Sequence, residues 1–302
     1  MKLVRLVLIL LFATLFAAPL SLLGADKMGT EELVAKHLAS IGTVEARAAA
    51  KNRFVPGNVN LKVLVGGQGI MEGSGALTSE GQKLKLIMRF DRPDYFGEEF
   101  IYDGQKSYTG MYRPGSRSQF GDFVLAQDVV LKEGLLGGTL STAWALLDVP
   151  GRNAKLSYDG LKKVDGRQLH QVTYRARKGG GDLTARLYFE PETCRHVYSV
   201  YTVEMGAQIG ASSAGLGTLG PIASSGEESS ARQQVTRIKL EEYFSDFSTA
   251  NGLTLPSTWK LKFTSESGRS VILEYLFQAS KVEDNATLPP DAFQPSGQGP
   301  SH

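Results

Sequence analysis

Residues 83–90 read Lys83-Leu84-Lys85-Leu86-Ile87-Met88-Arg89-Phe90, and this alternation decides the fold class. Leu84, Leu86, Met88 and Phe90 fall on one face of an extended chain, whereas Lys83, Lys85 and Arg89 fall on the other. A period of two with one apolar and one wet face marks a half-buried antiparallel strand. The rhythm returns in Trp259, Leu261 and Phe263 against Lys260 and Lys262, and in Leu183, Ala185, Leu187 and Phe189 against Thr184 and Arg186. Leu61, Val63 and Val65 against Asn60 and Lys62 give a fourth instance. Between the runs stand the pairs Gly66-Gly67, Glu80-Gly81, Asp103-Gly104, Asp165-Gly166, Asn251-Gly252 and Ser267-Gly268. Asp-Gly and Asn-Gly accept the positive φ of tight hairpins, so neighbouring strands are expected to pair antiparallel in sequence order. About ten or eleven strands are expected, and such a meander must close into a barrel or cover its open side.

Two helical segments frame the strands. Thr30 stands where an N-cap belongs, Glu31 and Glu32 suit the positive end of the helix dipole, and Leu33, Val34, His37, Leu38 and Ile41 recur at helical spacing until Gly42. A short alanine-rich stretch from Val44 to about Lys51 follows. Between Gln119 and Asp148 alternation disappears: Phe123, Val124, Val130 and Leu131, then Trp144, Leu146 and Leu147, are interrupted by Gly137, Gly138 and Thr139. Helices inserted midway through a meander are most economically placed across the apolar face of the sheet, either plugging it or covering it. The inward-facing set that could line an apolar cavity is therefore Leu84, Leu86, Met88, Phe90, Trp259, Leu261 and Phe263, with Trp144 and Leu147 from the cover.

Met1, Lys2 and Arg5 precede an apolar run from Leu6 to Leu23, the build of a secretory leader (residues 1–25) cleaved after Ala25, with a retained membrane anchor as the alternative. A lipid-anchored protein would carry a cysteine at the cut, but the single cysteine is Cys194. One domain over residues 29–295 is expected, with inserted helices at 118–149, a flexible Gly/Ala/Ser loop at 206–230 and a disordered tail at 296–302. The net charge of +2 and pI of 8.5 argue against nucleic-acid binding and allow at most peripheral contact with anionic membranes.

Chemistry-bearing motifs are sparse. Gly215, Gly217 and Gly220 have dinucleotide-fingerprint spacing, but Pro221 and serines follow where a helix would have to begin. His37, His170, His196 and His302 lack the spacing of a zinc site. Cys194 and His196 would share a strand face, the arrangement of a thiol nucleophile with its base, but Glu190, Pro191 and Glu192 make Cys194 a post-turn structural residue. Glu98-Glu99, Glu227-Glu228 and Glu241-Glu242 point to opposite faces and are expected on solvated surface. Asn285-Ala286-Thr287 is a glycosylation sequon, meaningful only in a eukaryotic secretory route. No catalytic residue, metal or cofactor is expected.

The order of features resembles the LolA/LolB superfamily of bacterial envelope proteins, as an outlying member. The likeness rests on the leader without a lipid-attachment cysteine, the opening helix with Glu31, Glu32, Leu33 and Lys36 to Gly42, and Arg92-Pro93-Asp94 leading to Tyr102-Asp103-Gly104. It continues through Val164-Asp165-Gly166-Arg167, Phe189-Glu190-Pro191-Glu192-Thr193 and the closing Leu288-Pro289-Pro290-Asp291-Ala292-Phe293. The resemblance implies a mainly β, incomplete antiparallel barrel with covering helices, and lipid or lipoprotein handling in the periplasm, as in outer-membrane lipoprotein sorting. It carries over no lipid-contacting or release-triggering residue. The expected function is a periplasmic carrier for a lipid, a lipoprotein acyl chain or another apolar ligand; the alternative is a non-catalytic envelope scaffold that binds a protein partner.

Overall fold

Antiparallel pairing joins every neighbour in a 13-stranded open sheet of order β5-β4-β3-β2-β1-β12-β11-β10-β9-β8-β7-β6, with β13 beside β1. The strands are β1 Asn52–Val65, β2 Gly69–Glu80, β3 Lys83–Phe90, β4 Gly97–Tyr102, β5 Ser107–Gly110, β6 Lys155–Val164 and β7 Arg167–Arg175. They continue as β8 Thr184–Phe189, β9 His196–Met205, β10 Thr236–Ala250, β11 Leu253–Ser265, β12 Val271–Ala279 and β13 Glu283–Asp284. The computed structural model describes residues 28–67, 69–110, 117–205, 236–266 and 270–296. The leader, the 206–230 loop with Gly215, Gly217 and Gly220, Glu227-Glu228, the Ser267-Gly268 turn and the tail beyond residue 296 lie outside them.

Sequence alternation becomes register. Leu61 of β1 and Leu261 of β11 both stand opposite Tyr275 of β12, while Phe263 faces Leu240 and Trp259 faces Phe244. These side chains are buried on one face, and Lys62 between them is exposed. The turn pairs behave as their chemistry requires: Asp165 and Gly166 have φ of 47° and 83°, Asn251 and Gly252 of 51° and 75°. Two consecutive positive φ values are what a type I′ hairpin needs. β5 and β13, of four and two residues, are too short for alternation to betray.

The topology explains the cover. The first five strands step outward from β1 to the edge at β5, and the next seven step inward from the other edge at β6 to meet β1 at β12. The link from β5 to β6 must therefore cross the whole sheet, roughly 50 Å if it lay flat at ordinary strand spacing. It does so as short pieces: α3 Gln119–Ala126, α4 Val129–Lys132, 3₁₀ turns at Gly138–Leu140 and Ala145–Asp148, and α5 Val149–Arg152. Phe120 of α3 stacks on Phe263 at 5.2 Å and meets Phe100 edge-on at 4.8 Å.

At the N-terminus, α1 Thr30–Ile41 and α2 Val44–Ala49 close one side of this face. Thr30 is the first helical residue and Gly29 the N-cap, because the Thr30 hydroxyl is used elsewhere. It accepts the Tyr158 backbone N–H at 3.1 Å, satisfying a donor on edge strand β6.

Replacing Leu61 by Ala is expected to lower stability by about 2–5 kcal/mol, whereas Lys62→Ala should stay within about 0.5 kcal/mol. Urea denaturation of the two variants checks that the faces are assigned correctly.

Candidate functional site

The inner face is filled. Leu84, Leu86, Met88, Trp259, Leu261 and Phe263 are fully buried, and Phe90 nearly so, within one hydrophobic cluster that includes the cover residues Phe120, Val124, Leu136 and Leu140. Among the described residues, none of these seven lines the hollows at the surface of the molecule; they pack against one another and against the cover. The other two stand elsewhere: Trp144, buried, and Leu147, 37% exposed, lie on a hollow of about 320 Å³ at the seam between α1–α2, the cover and the start of β11. Ile41, Val44, Ala48, Ala50 and Leu253 supply the rest of its apolar wall, and Arg47, Arg53, Thr139, Ser141 and Thr142 its polar groups. Sequence reading missed all ten because periodicity gives the face of one element, not which elements meet.

Trp144 is held by a chain of hydrogen bonds. His37 of α1 donates from Nδ1 to the Cys194 carbonyl at 3.0 Å, which leaves the Nε2 lone pair to accept Trp144 Nε1–H at 3.0 Å. His37 must be neutral to do both, and burial drives its pKa down to about 4. His196 of β9 stacks on Trp144 at 4.6 Å and is likewise pushed well below its ordinary value by burial. Cys194 is buried, with φ of 53° in the turn before β9, and its carbonyl anchors His37. That is a structural role.

Two carboxylate pairs overturn the expectation of solvated surface. Glu98, Glu99, Glu241 and Glu242 are all buried, on opposite faces within each pair. Glu242 sits under the cover, where its Oε1 accepts the Gly137 N–H at 2.8 Å and the Trp259 indole N–H at 3.0 Å. Its Oε2 lies 2.7 Å from the Tyr201 hydroxyl, which also lies 3.0 Å from the Leu135 carbonyl. Tyr201 has one proton for two acceptors. A protonated Glu242 resolves the conflict, its Oε2–H donating to Tyr201 while Tyr201 donates to Leu135. Burial accordingly raises Glu242 to about 7. Glu98, also raised to about 7 by burial, accepts the hydroxyls of Tyr95 at 2.7 Å and Tyr275 at 3.3 Å. Glu241 faces the other way, towards Tyr198 at 2.7 Å and Lys239 at 3.0 Å.

Further side chains fasten the same segment. Arg53 donates to the Thr139 carbonyl at 3.0 Å while paired with Asp284 at 2.7 Å, and Ser79 Oγ accepts the Thr142 N–H at 2.9 Å. Arg152 donates to the Ala143 carbonyl at 2.7 Å. The sequon's Asn285 amide donates to the Ala49 carbonyl at 3.0 Å, so a glycan there would displace a bond that fixes α2. Among the described residues no group of three or more His, Cys, Asp or Glu side chains could hold a metal ion. Nor is any helix among them long and apolar enough to cross a membrane.

No family model matches the sequence, and no curated protein does. Among solved structures, the chain is similar to a LolA superfamily protein from Nitrosomonas europaea at 12% identity, covering 88% of this chain and 98% of that one, with a TM-score of 0.46. A DUF1329 family protein from Desulfovibrio piger gives 12% identity, 89% and 98% coverage and a TM-score of 0.46. A putative outer membrane lipoprotein-sorting protein domain from Vibrio parahaemolyticus gives 10%, 86% and 97%, and 0.42. The chain's open antiparallel sheet, crossed on its inner side by short helices, agrees with the mainly β, helix-covered architecture expected from the sequence.

Glu242→Gln should preserve the network, since the amide oxygen accepts both N–H groups and Nε2–H donates to Tyr201. The wild-type carboxyl, ordinarily near 4.5, favours folding below that pH and loses the contribution as pH rises through about 7. His37 acts oppositely, its contribution present above 6.5 and lost as pH falls towards about 4. Urea midpoints should therefore show the variant more stable than wild type at pH 8, by up to about 3 kcal/mol, and declining more steeply between pH 7 and 4.5. Glu242→Ala should cost about 2–4 kcal/mol by stranding buried donors.

Proposed function

We propose that this protein is a non-catalytic binding or carrier protein of the bacterial periplasm that takes up a lipid, a lipoprotein acyl chain or another apolar ligand at the seam between α1–α2 and the cover. The observation that carries the reading is the 320 Å³ hollow walled by Ile41, Val44, Trp144, Leu147 and Leu253. Its volume is at the low end of ligand pockets, about 300–1,000 Å³, so it takes a headgroup or the first part of a chain. Longer hydrocarbon would have to displace cover residues from the inner face. Val44, 67% exposed, and Leu147 form an apolar lip at the mouth, where an incoming chain first makes contact. Polar bonds between cover and sheet, rather than continuation of the sheet itself, hold that face shut.

A second reading, an envelope scaffold for a protein partner, is favoured by the filled inner face, because an interior without room needs no ligand. The two readings separate by native mass spectrometry of protein purified from its own envelope and then exposed to phospholipid or lipopeptide. A carrier retains or acquires a lipid mass; a scaffold shows the bare chain throughout. Val44→Asp combined with Leu147→Asp should weaken lipid binding about tenfold or more, through lost apolar contact and charge at the lip. The urea midpoint should be nearly unchanged, because both side chains are at the surface. Unaltered lipid affinity in that variant would remove the seam as the site.

A further inference from the structure

We infer that the seam hollow selects an amphiphile with a singly or doubly charged acidic headgroup, the carboxylate or phosphate end seated inside and the hydrocarbon leaving over the apolar lip. This rests on the apolar-ligand reading above and specifies its chemistry. Two arginines border the hollow, Arg47 and Arg53, and no carboxylate does. Arg53 is already neutralised by Asp284. Arg47 is not: its Nη1 donates to the carbonyls of Leu38, at 2.6 Å, and Gly42, and no carboxylate lies within ion-pair distance among the described residues. Glu45, exposed on the same helix, feels the Arg47 charge but stands outside the hollow.

A second, independent group points the same way. Thr139, one of the residues that line the hollow, is 4% exposed, its carbonyl is used by Arg53, and its buried hydroxyl Oγ1 has no hydrogen-bond partner among the described residues. A buried hydroxyl left unpaired is costly. An acidic oxygen would accept its proton. The polarity gradient runs from this buried end, with Arg53, Thr139 and Ser141, to the exposed Val44 and Leu147 at the mouth. A charged head therefore goes in first and finds a half-buried guanidinium, where lower effective dielectric strengthens its attraction. Among the described residues Arg47 is bound through Nη1 alone, which leaves the other edge of its planar fork for an acid.

The test uses isothermal titration of the mature chain near pH 7.5 with octanoate, octyl phosphate and 1-octanol, which share a tail and differ in head. At least one of the two acids should bind about tenfold tighter than the alcohol, with an affinity that falls as salt is raised. Arg47→Gln should bring acid and alcohol affinities together while leaving the alcohol within about twofold of wild type. If that variant fails to fold, the salt dependence and the acid-to-alcohol ratio of the wild type decide alone. Which acid binds tighter distinguishes a fatty acid from a phosphate headgroup. Equal binding of acids and alcohol overturns the inference and leaves the apolar-ligand reading in place. Binding of phospholipid but of none of the three probes does the same. Failure of every probe and of phospholipid sinks both.

Discussion

Burying an irregular stretch of chain against an apolar sheet is permissible only if its backbone groups find partners, and that requirement governs the inner half of this molecule. A long helix would satisfy its own amides. The link between β5 and β6 instead breaks into helices of eight and four residues and single 3₁₀ turns, each with open ends. The sheet answers with polar side chains set among its aliphatic ones: Glu242 for Gly137, Tyr201 for Leu135, Arg53 for Thr139 and Ser79 for Thr142. Take away the irregular crossing and those four residues would have no reason to be inside.

Charge follows from the same requirement. His37 has its two nitrogens committed to one carbonyl and one indole N–H, a pattern only the neutral ring can meet. Glu242 is surrounded by two N–H donors and a hydroxyl that already has an acceptor, a pattern the neutral carboxyl meets best. Burial shifts the imidazole down and the carboxyl up, so both favour the uncharged state under mildly acid to neutral conditions. Their pH responses oppose each other over much of one window.

The sheet was largely legible because alternation is a local signal: residues 83–90 and 259–263 need only their own neighbours to declare a face. The Asp-Gly and Asn-Gly hairpins were legible for the same reason, since positive φ at Asp165 and Asn251 is a property of the dipeptide. Glu98 and Glu242 were not, because a charged residue beside another reads as surface unless Tyr275 or Tyr201 is known to lie against it. Those partners are 177 and 41 residues away. The seam was hidden likewise: Val44 and Arg47 read as part of an ordinary short helix and Thr139 as a helix breaker, and nothing local singled out Leu253. Only the return of β12 to β1 and the crossing of the cover bring them together. Trp144 and Leu147 were picked out as inward-facing cover residues, and they are the two of the nine that border the hollow.

Among the described residues no ladder joins the two rim strands, β5 and β6, and this has a mechanical meaning. A closed barrel fixes its girth, because widening it would tear a ladder somewhere around the ring. Here the circumference is interrupted, so curvature can relax by small changes of twist spread over many strand pairs, with every inter-strand bond intact. The β5–β6 crossing is pinned through Glu242, Tyr201, Arg53 and Ser79 to strands β10, β9, β1 and β2, so it spans the inner face like the string of a bow, and these fastenings tie the β1–β2 pair to the β9–β10 pair, which no ladder joins directly among the described residues.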